Sequence, residues 1–364
     1  MGWIQTVDVH AEGEPSRVLL GSHLQVRGAT ATERLRYCEE HLHPLRRLLL
    51  REPRGYPGLC GVLVLPPSHP EADVGLVVLE QGGFRAMSGS NLICAVTALI
   101  ETRAIPVTEP VTTVRIDTAA GLVRAEASVH GGKARSVTFA NVPCYAAALD
   151  HVLDLPEYGK VPVDIVFGGQ FFVQARAADL GVDLHPGAVG SLLRAGTVLR
   201  TVAQRDFPVR HPVNPQIDGI SLAMITGPAD TPGVSGRNTV VMPNGPADLA
   251  DPATWTGVLD RSPCGTGTSG RMAALHARGE LAPGESFVHE SLLGTTFTGS
   301  ITQETTVGPH RAILPTITGR AWVTGFGHYV LDDTDPFPEG YTLGDIWGPP
   351  DTDTDTDTDT GRLP

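Results

Sequence analysis

Apolar positions along this chain follow two rhythms, and their alternation lays out the expected elements. Between Leu92 and Ile100, the residues Ile93, Val96, Leu99 and Ile100 recur at helical spacing. Between Thr268 and Leu281, Met272 and Leu275 stand one turn apart with Ala273 and Ala274 between them, which predicts a second helix. Elsewhere, short apolar runs bounded by Gly and Pro predict strands at 61–65, 74–79, 163–173, 220–225, 239–242 and 320–325. Punctuation at such short intervals fits antiparallel hairpins better than long crossovers.

The two helices have matching surroundings. Met87-Ser88-Gly89-Ser90-Asn91 opens the first, and Pro263-Cys264-Gly265-Thr266-Gly267 opens the second. Pro106 and Pro283 follow them, and then come alternating segments at 111–127 and 286–301, with turns at Gly121 and Gly294. An order of small turn, helix, proline and hairpin that occurs twice predicts two similarly built halves, with one turn and helix from each at their junction. The expected class is α+β: two pseudo-symmetric domains, each a mixed, mostly antiparallel sheet around a central helix. The N-terminal domain is expected over 1–150, completed by about 322–348, and the C-terminal domain over 151–321. Alternating Asp and Thr from Asp351 to Thr360 bury nothing apolar, so 349–364 is expected to be a disordered tail.

Composition narrows the function classes. A hydrophobic fraction of 41% in 364 residues allows a sizeable core, while a formal charge of −13 argues against a nucleic-acid partner. The apolar stretches are too short to span a membrane, and Asp8, Glu12 and Glu14 interrupt any export signal. Five scattered cysteines, with no C-x-x-C pair, read as reduced thiols in the cytoplasm.

Candidate chemistry gathers at the two turns. A cysteine at a helix N-terminus feels unpaired N–H groups and the positive end of the macrodipole, so the Cys264 pKa is expected to fall toward neutrality. The neighbouring glycines leave N–H groups open to an anion such as a carboxylate. The plainer reading of Cys264 is a buried, inert thiol. Gly265 to Gly270 also matches G-x-G-x-x-G, but a dinucleotide fold needs an apolar strand running into the first Gly. Here Asp260-Arg261-Ser262-Pro263 intervenes. Neither a phosphate-loop lysine nor a tight His/Cys cluster occurs, so no cofactor and no metal are expected. Ser88 occupies the place that matches Cys264. It is either a plain helix N-cap or a second reactive group.

At these segments the chain resembles the proline racemase family, which includes proline racemases, 4-hydroxyproline 2-epimerases and trans-3-hydroxyproline dehydratases. Asp260-Arg261-Ser262-Pro263-Cys264-Gly265-Thr266-Gly267-Thr268 is similar to the family's second signature, and Met87-Ser88-Gly89-Ser90 resembles the first, usually Met-Cys-Gly-His. Further likeness lies in Asp8 with His10-Ala11-Glu12-Gly13-Glu14-Pro15, in Phe167-Gly168-Gly169, and in 319–325. The resemblance implies a fold like diaminopimelate epimerase and cofactor-independent two-base chemistry. One residue removes the Cα proton of a proline-like imino acid and the other protonates the opposite face. It implies Ser88 and Cys264 as that pair, Gly89, Ser90, Gly265 and Thr266 as the carboxylate cradle, and Asp260 for the ring nitrogen. It leaves room for a homodimer.

Three positions depart from the family pattern: Ser88 for the usual cysteine, Ser90 for the usual histidine, and Ser221 where hydroxyproline epimerases often carry a histidine. A Ser/Cys pair goes with hydroxyproline chemistry within the family. The leading expectation is therefore a 4-hydroxyproline 2-epimerase. A trans-3-hydroxy-L-proline dehydratase is the alternative, since one good base and one poor one also suit elimination. A catalytically degenerate imino-acid-binding protein is the third reading.

Overall fold

A computed structural model describes residues 2–20, 24–243, 247–332, 334–344, 346 and 347. The expected tail, 349–364, lies outside the described residues. The fold is α+β, and its strand pairing repeats. Gly2–Ala11 pairs antiparallel with Glu14–Leu19, which runs parallel to Cys60–Leu65, which pairs antiparallel with Val74–Glu80. In the second half, Gly159–Phe167 pairs antiparallel with Phe171–Arg176, which runs parallel to Ile220–Gly227, which pairs antiparallel with Gly236–Pro243. A three-residue strand then leads into each turn, Gly83–Arg85 in one half and Gly257–Leu259 in the other. Beyond each turn's helix the chain returns parallel to the strand it left: Val111–Thr118 beside Val74–Glu80, and Ser286–Glu290 beside Gly236–Pro243.

Parallel neighbours need a crossover, and these pairs dictate where the helices lie. Gly89–Glu101 and Gly265–Ala277 are the crossovers that follow the two turns. Every residue of the first from Gly89 to Ile100 is buried, as suits a helix that is apolar on most sides. The two halves interlock through their last strands. Cys144–Leu155 pairs with Gly159–Phe167, Ala321–Leu331 returns to Gly2–Ala11, and Lys133–Ala140 pairs with His310–Gly319. One apolar core surrounds Gly89–Glu101 and also takes Met272, Phe297 and Ile317; a second gathers Tyr145, Phe171, Leu199 and Val241.

One expectation needs correction. The run at 163–173 is a hairpin, broken at Gly168-Gly169, rather than one strand. A Cβ on Gly168 would stand 2.0 Å from the Thr266 carbonyl oxygen, so the break is where the second helix start presses on the sheet. Each half also carries a further crossover besides its central helix. Ala31–His41 and His43–Leu50 make the other crossover of the first half, and Val189–Asp206 makes that of the second.

Candidate active site at two helix N-termini

The two central helices start against each other. A Cβ on Gly89 would lie 3.0 Å from Gly265 Cα and 2.8 Å from Phe139 Cζ; one on Gly265 would lie 3.1 Å from Gly89 Cα. Only glycine permits this backbone-to-backbone approach. It brings the residue before each glycine, Ser88 and Cys264, to one cleft. All seven residues expected at the site wall that cleft: Ser88, Gly89, Ser90, Asp260, Cys264, Gly265 and Thr266.

Helix starts leave their first N–H groups without intrahelical acceptors. The first intrahelical bonds run from Leu92 N to Ser88 O, 3.0 Å, and from Thr268 N to Cys264 O, 2.8 Å. The amides of Gly89, Ser90, Gly265 and Thr266 precede those bonds, and among the described residues none has a protein acceptor. Two converging sets of N–H groups, each at the positive end of a helix dipole, can bind one carboxylate.

Ser88 sits in extended backbone, φ −149°, and its side chain does not cap the helix. Its Oγ accepts a hydrogen bond from Asn91 Nδ2 at 2.9 Å, and the Ser90 hydroxyl lies 3.4 Å away. Asn91 is itself fixed, because its Oδ1 accepts from the Ser16 hydroxyl at 2.6 Å. With one lone pair taken by Asn91, the Ser88 hydroxyl is placed to donate. The plain N-cap reading of Ser88 therefore lacks its defining bond.

Cys264 is held differently. Its backbone is left-handed, φ +59°, a strained position for a residue with a side chain. Sγ accepts from Gly267 N at 3.4 Å and lies 3.7 Å from the Thr266 hydroxyl. The expected lowering of its pKa is not found. Burial pushes the Cys264 thiol well above its usual value and the Asp260 charge pushes it further; the Gly267 amide and the Thr266 hydroxyl pull back only part of that. The helix N-terminus contributes through one N–H group, whereas desolvation acts on the whole thiol of a residue that is 6% exposed. The direction of that shift favours the thiol over the thiolate.

Sequence reasoning singled out Asp260 but assigned no role to two further acids at the cleft. Glu14 and Glu80 wall the cleft along with Asp260 and Cys60. Burial, then the Asp260 charge, raises the Glu14 carboxyl well above its usual value. Asp260 is also raised by burial, but Ser262 donates both N–H and hydroxyl to its Oδ1, at 2.8 Å each. Within this pair the Asp260 charge adds to the rise at Glu14, whereas the Ser262 donors oppose the rise at Asp260. Glu14 was legible only as part of 10–15, a segment whose hairpin crosses to the other half: Glu14 Oε2 accepts from Arg261 N at 2.7 Å. Among the described residues, no histidine walls this cleft, and none of the groups of His, Cys, Asp and Glu could hold a metal ion.

The duplicated α+β fold thus brings two helix N-termini, a hydroxyl and a thiol to one cleft. The chain belongs to the proline racemase family: the family model described as proline racemase matches residues 6–342. A 4-hydroxyproline 2-epimerase of Streptosporangium roseum is 41% identical over 338 residues, covering 93% of this chain and 97% of that one. A proline racemase of Clostridioides difficile is 39% identical over 340 residues, covering 93% and 98%. A crystal structure of a hydroxyproline epimerase from Agrobacterium vitis with bound trans-4-OH-L-proline superposes with a TM-score of 0.87 at 36% identity, covering 95% of this chain and 96% of that one. No helix among the described residues is long and apolar enough to cross a membrane.

Proposed function

We propose that the chain is a cofactor-independent 4-hydroxyproline 2-epimerase, inverting Cα between Ser88 and Cys264. The observation that carries this reading is the opposition of a hydroxyl and a thiol at two touching helix starts in one cleft. The substrate carboxylate lies on the amides of Gly89, Ser90, Gly265 and Thr266, where the charge that develops on deprotonation is also stabilised. The ring ammonium faces Asp260. Its arrival offsets the charge that raises Cys264, so the thiol acidifies when substrate binds. The thiolate takes the Cα proton from one face, and the Ser88 hydroxyl delivers a proton to the other, with Ser90 beside it to pass protons on.

Relatives that bear racemase and epimerase names support the reaction class, and the Agrobacterium vitis complex supports the ring. The free state of all five thiols supports the cytoplasm as the compartment. Proton NMR in deuterium oxide tests the reading, with proline, 4-hydroxyproline and 3-hydroxyproline epimers as substrates. Exchange at Cα with inversion of 4-hydroxyproline is the expected outcome. Water loss from 3-hydroxyproline in its place would make the chain a dehydratase, and binding without exchange would make it a non-catalytic relative.

A further inference from the structure

The cleft does not end at the two turns. A second depression adjoins it, sharing the walls Cys60, Glu80, Leu222 and Met242 and adding Arg85, Arg200 and Ser221. Arg200 comes from the Val189–Asp206 helix, and its Nε donates to the Ser221 carbonyl oxygen at 2.6 Å. The bond anchors one edge of the guanidinium. Its two terminal nitrogens have no protein acceptor, and no carboxylate pairs with Arg200, among the described residues. Arg85, by contrast, is matched by Glu80 at 3.0 Å. Burial and the nearby Arg85 lower the Arg200 pKa to about 10, which still leaves it charged at neutral pH. A desolvated cation without a counterion is costly and gains most from an acceptor supplied by a ligand.

We propose that Arg200 reads the substituent at the far end of the substrate ring, so that the site selects imino acids bearing a hydrogen-bond acceptor there, an acidic group above a hydroxyl and a hydroxyl above hydrogen. The proposal rests on the reading of the Ser88–Cys264 cleft as the place where Cα reacts. It makes Arg200 a specificity-determining residue rather than a catalytic one. Ser221, bonded through its carbonyl, is small enough to leave the guanidinium room to reach a ring substituent.

The test compares pyrrolidine-2,4-dicarboxylate, 4-hydroxyproline and proline with the wild-type chain, Arg200→Gln and Arg200→Lys, reading Cα exchange by NMR and binding by calorimetry. The wild type is expected to rank them in that order, with the dicarboxylate favoured over proline by about ten- to a hundredfold in kcat/KM, the scale of one charged hydrogen-bond pair. Arg200→Gln should reduce that ratio by about tenfold or more, and Arg200→Lys should restore part of it. Equal use of all three substrates, or an equal loss on all three in Arg200→Gln, would overturn the proposal. Calorimetry separates the two readings. Arg200-dependent binding of the dicarboxylate without any exchange sustains this proposal and removes the catalytic one. Exchange of proline with no Arg200-dependent preference does the reverse.

Discussion

Ser88 and Cys264 occupy the same place in two copies of one topology, yet the two turns are built differently. Ser88 is half-buried in extended backbone, and a side chain, Asn91, orients it. Cys264 is buried in left-handed backbone, and a backbone amide, Gly267 N, holds it. Around Ser88 lie hydroxyls and an amide; around Cys264 lie the buried carboxyls of Asp260 and Glu14. The pseudo-symmetry is therefore one of backbone and not of chemistry. One turn presents a polarisable sulfur whose charge depends on its surroundings, and the other presents a hydroxyl that donates well and accepts protons poorly. In the proposed reaction, duplication supplies the two helix ends for the carboxylate, and divergence of the residues at those ends sets which face of the substrate meets the stronger base.

The largest effect that follows is on Cys264. Cys264→Ser should lower both Cα exchange and inversion by about 10³-fold or more, the upper range for a general acid–base group, with the melting temperature little changed. Wild-type rates in that variant would leave Cys264 a packed thiol and dissolve the contrast between the turns. Ser88→Ala should cut inversion by about 10²-fold while exchange survives, because the thiolate can return a proton to its own face. Ser88→Cys should keep or raise inversion by restoring a two-thiol pair. Should Ser88→Ala lower exchange and inversion alike, Ser88 would be serving the carboxylate cradle rather than protonation.

Much of this contrast was legible before any coordinates. The repeat of turn, helix, proline and hairpin gave both helix starts, because glycine and proline punctuate a chain locally and the apolar spacing of 92–100 needs no partner to be recognised. What escaped was whatever depends on partners distant in sequence. The crossover helices Ala31–His41, His43–Leu50 and Val189–Asp206 follow from parallel pairings such as Ser16 with Cys60 and Phe172 with Leu222, which no local rhythm announces. The state of Cys264 was misjudged for the same reason. Its own helix argues for thiolate, but the burial around the sulfur and the charge of Asp260 argue for thiol, and they outweigh it. Arg200 lies 64 residues before Cys264 in sequence and has no motif around it, so only the fold brings it to the cleft.

A raised thiol pKa has a pH signature that sharpens the comparison. The thiolate is the minor form at neutral pH, so kcat/KM, which follows the free enzyme, should climb about tenfold per unit between pH 7 and pH 9 without levelling off. Because the substrate ammonium offsets Asp260, kcat should climb less steeply over the same range. The sign follows from the direction of the shift, since burial favours the neutral thiol and each unit of pH raises the small ionised fraction. A plateau in kcat/KM below pH 8 would mean that Cys264 is already ionised and that the acids beside it do not control it.

The smallest expected effect concerns how each reactive atom is held. At Cys264 the donor is the Gly267 backbone amide, which no substitution of side chains removes. At Ser88 the donor is the Asn91 side chain, fixed in turn by Ser16, so this turn alone can be loosened without touching the reactive atom. Asn91→Ala frees the Ser88 hydroxyl to rotate, and a neutral hydrogen bond of this kind contributes about 0.5–1.5 kcal/mol, or roughly three- to tenfold in rate. The loss should fall on inversion, which needs the Ser88 proton directed at Cα, and spare exchange, which needs only the thiolate face. A merely structural Asn91 would give another pattern: a lower melting temperature with exchange and inversion falling together. Asn91→Asp adds a charge beside the carboxylate cradle, so it should raise KM for any anionic substrate while Asn91→Ala does not. If Asn91→Ala leaves the ratio of exchange to inversion at the wild-type value, Ser88 is oriented by something other than Asn91, and the two turns differ less in construction than their hydrogen bonds imply.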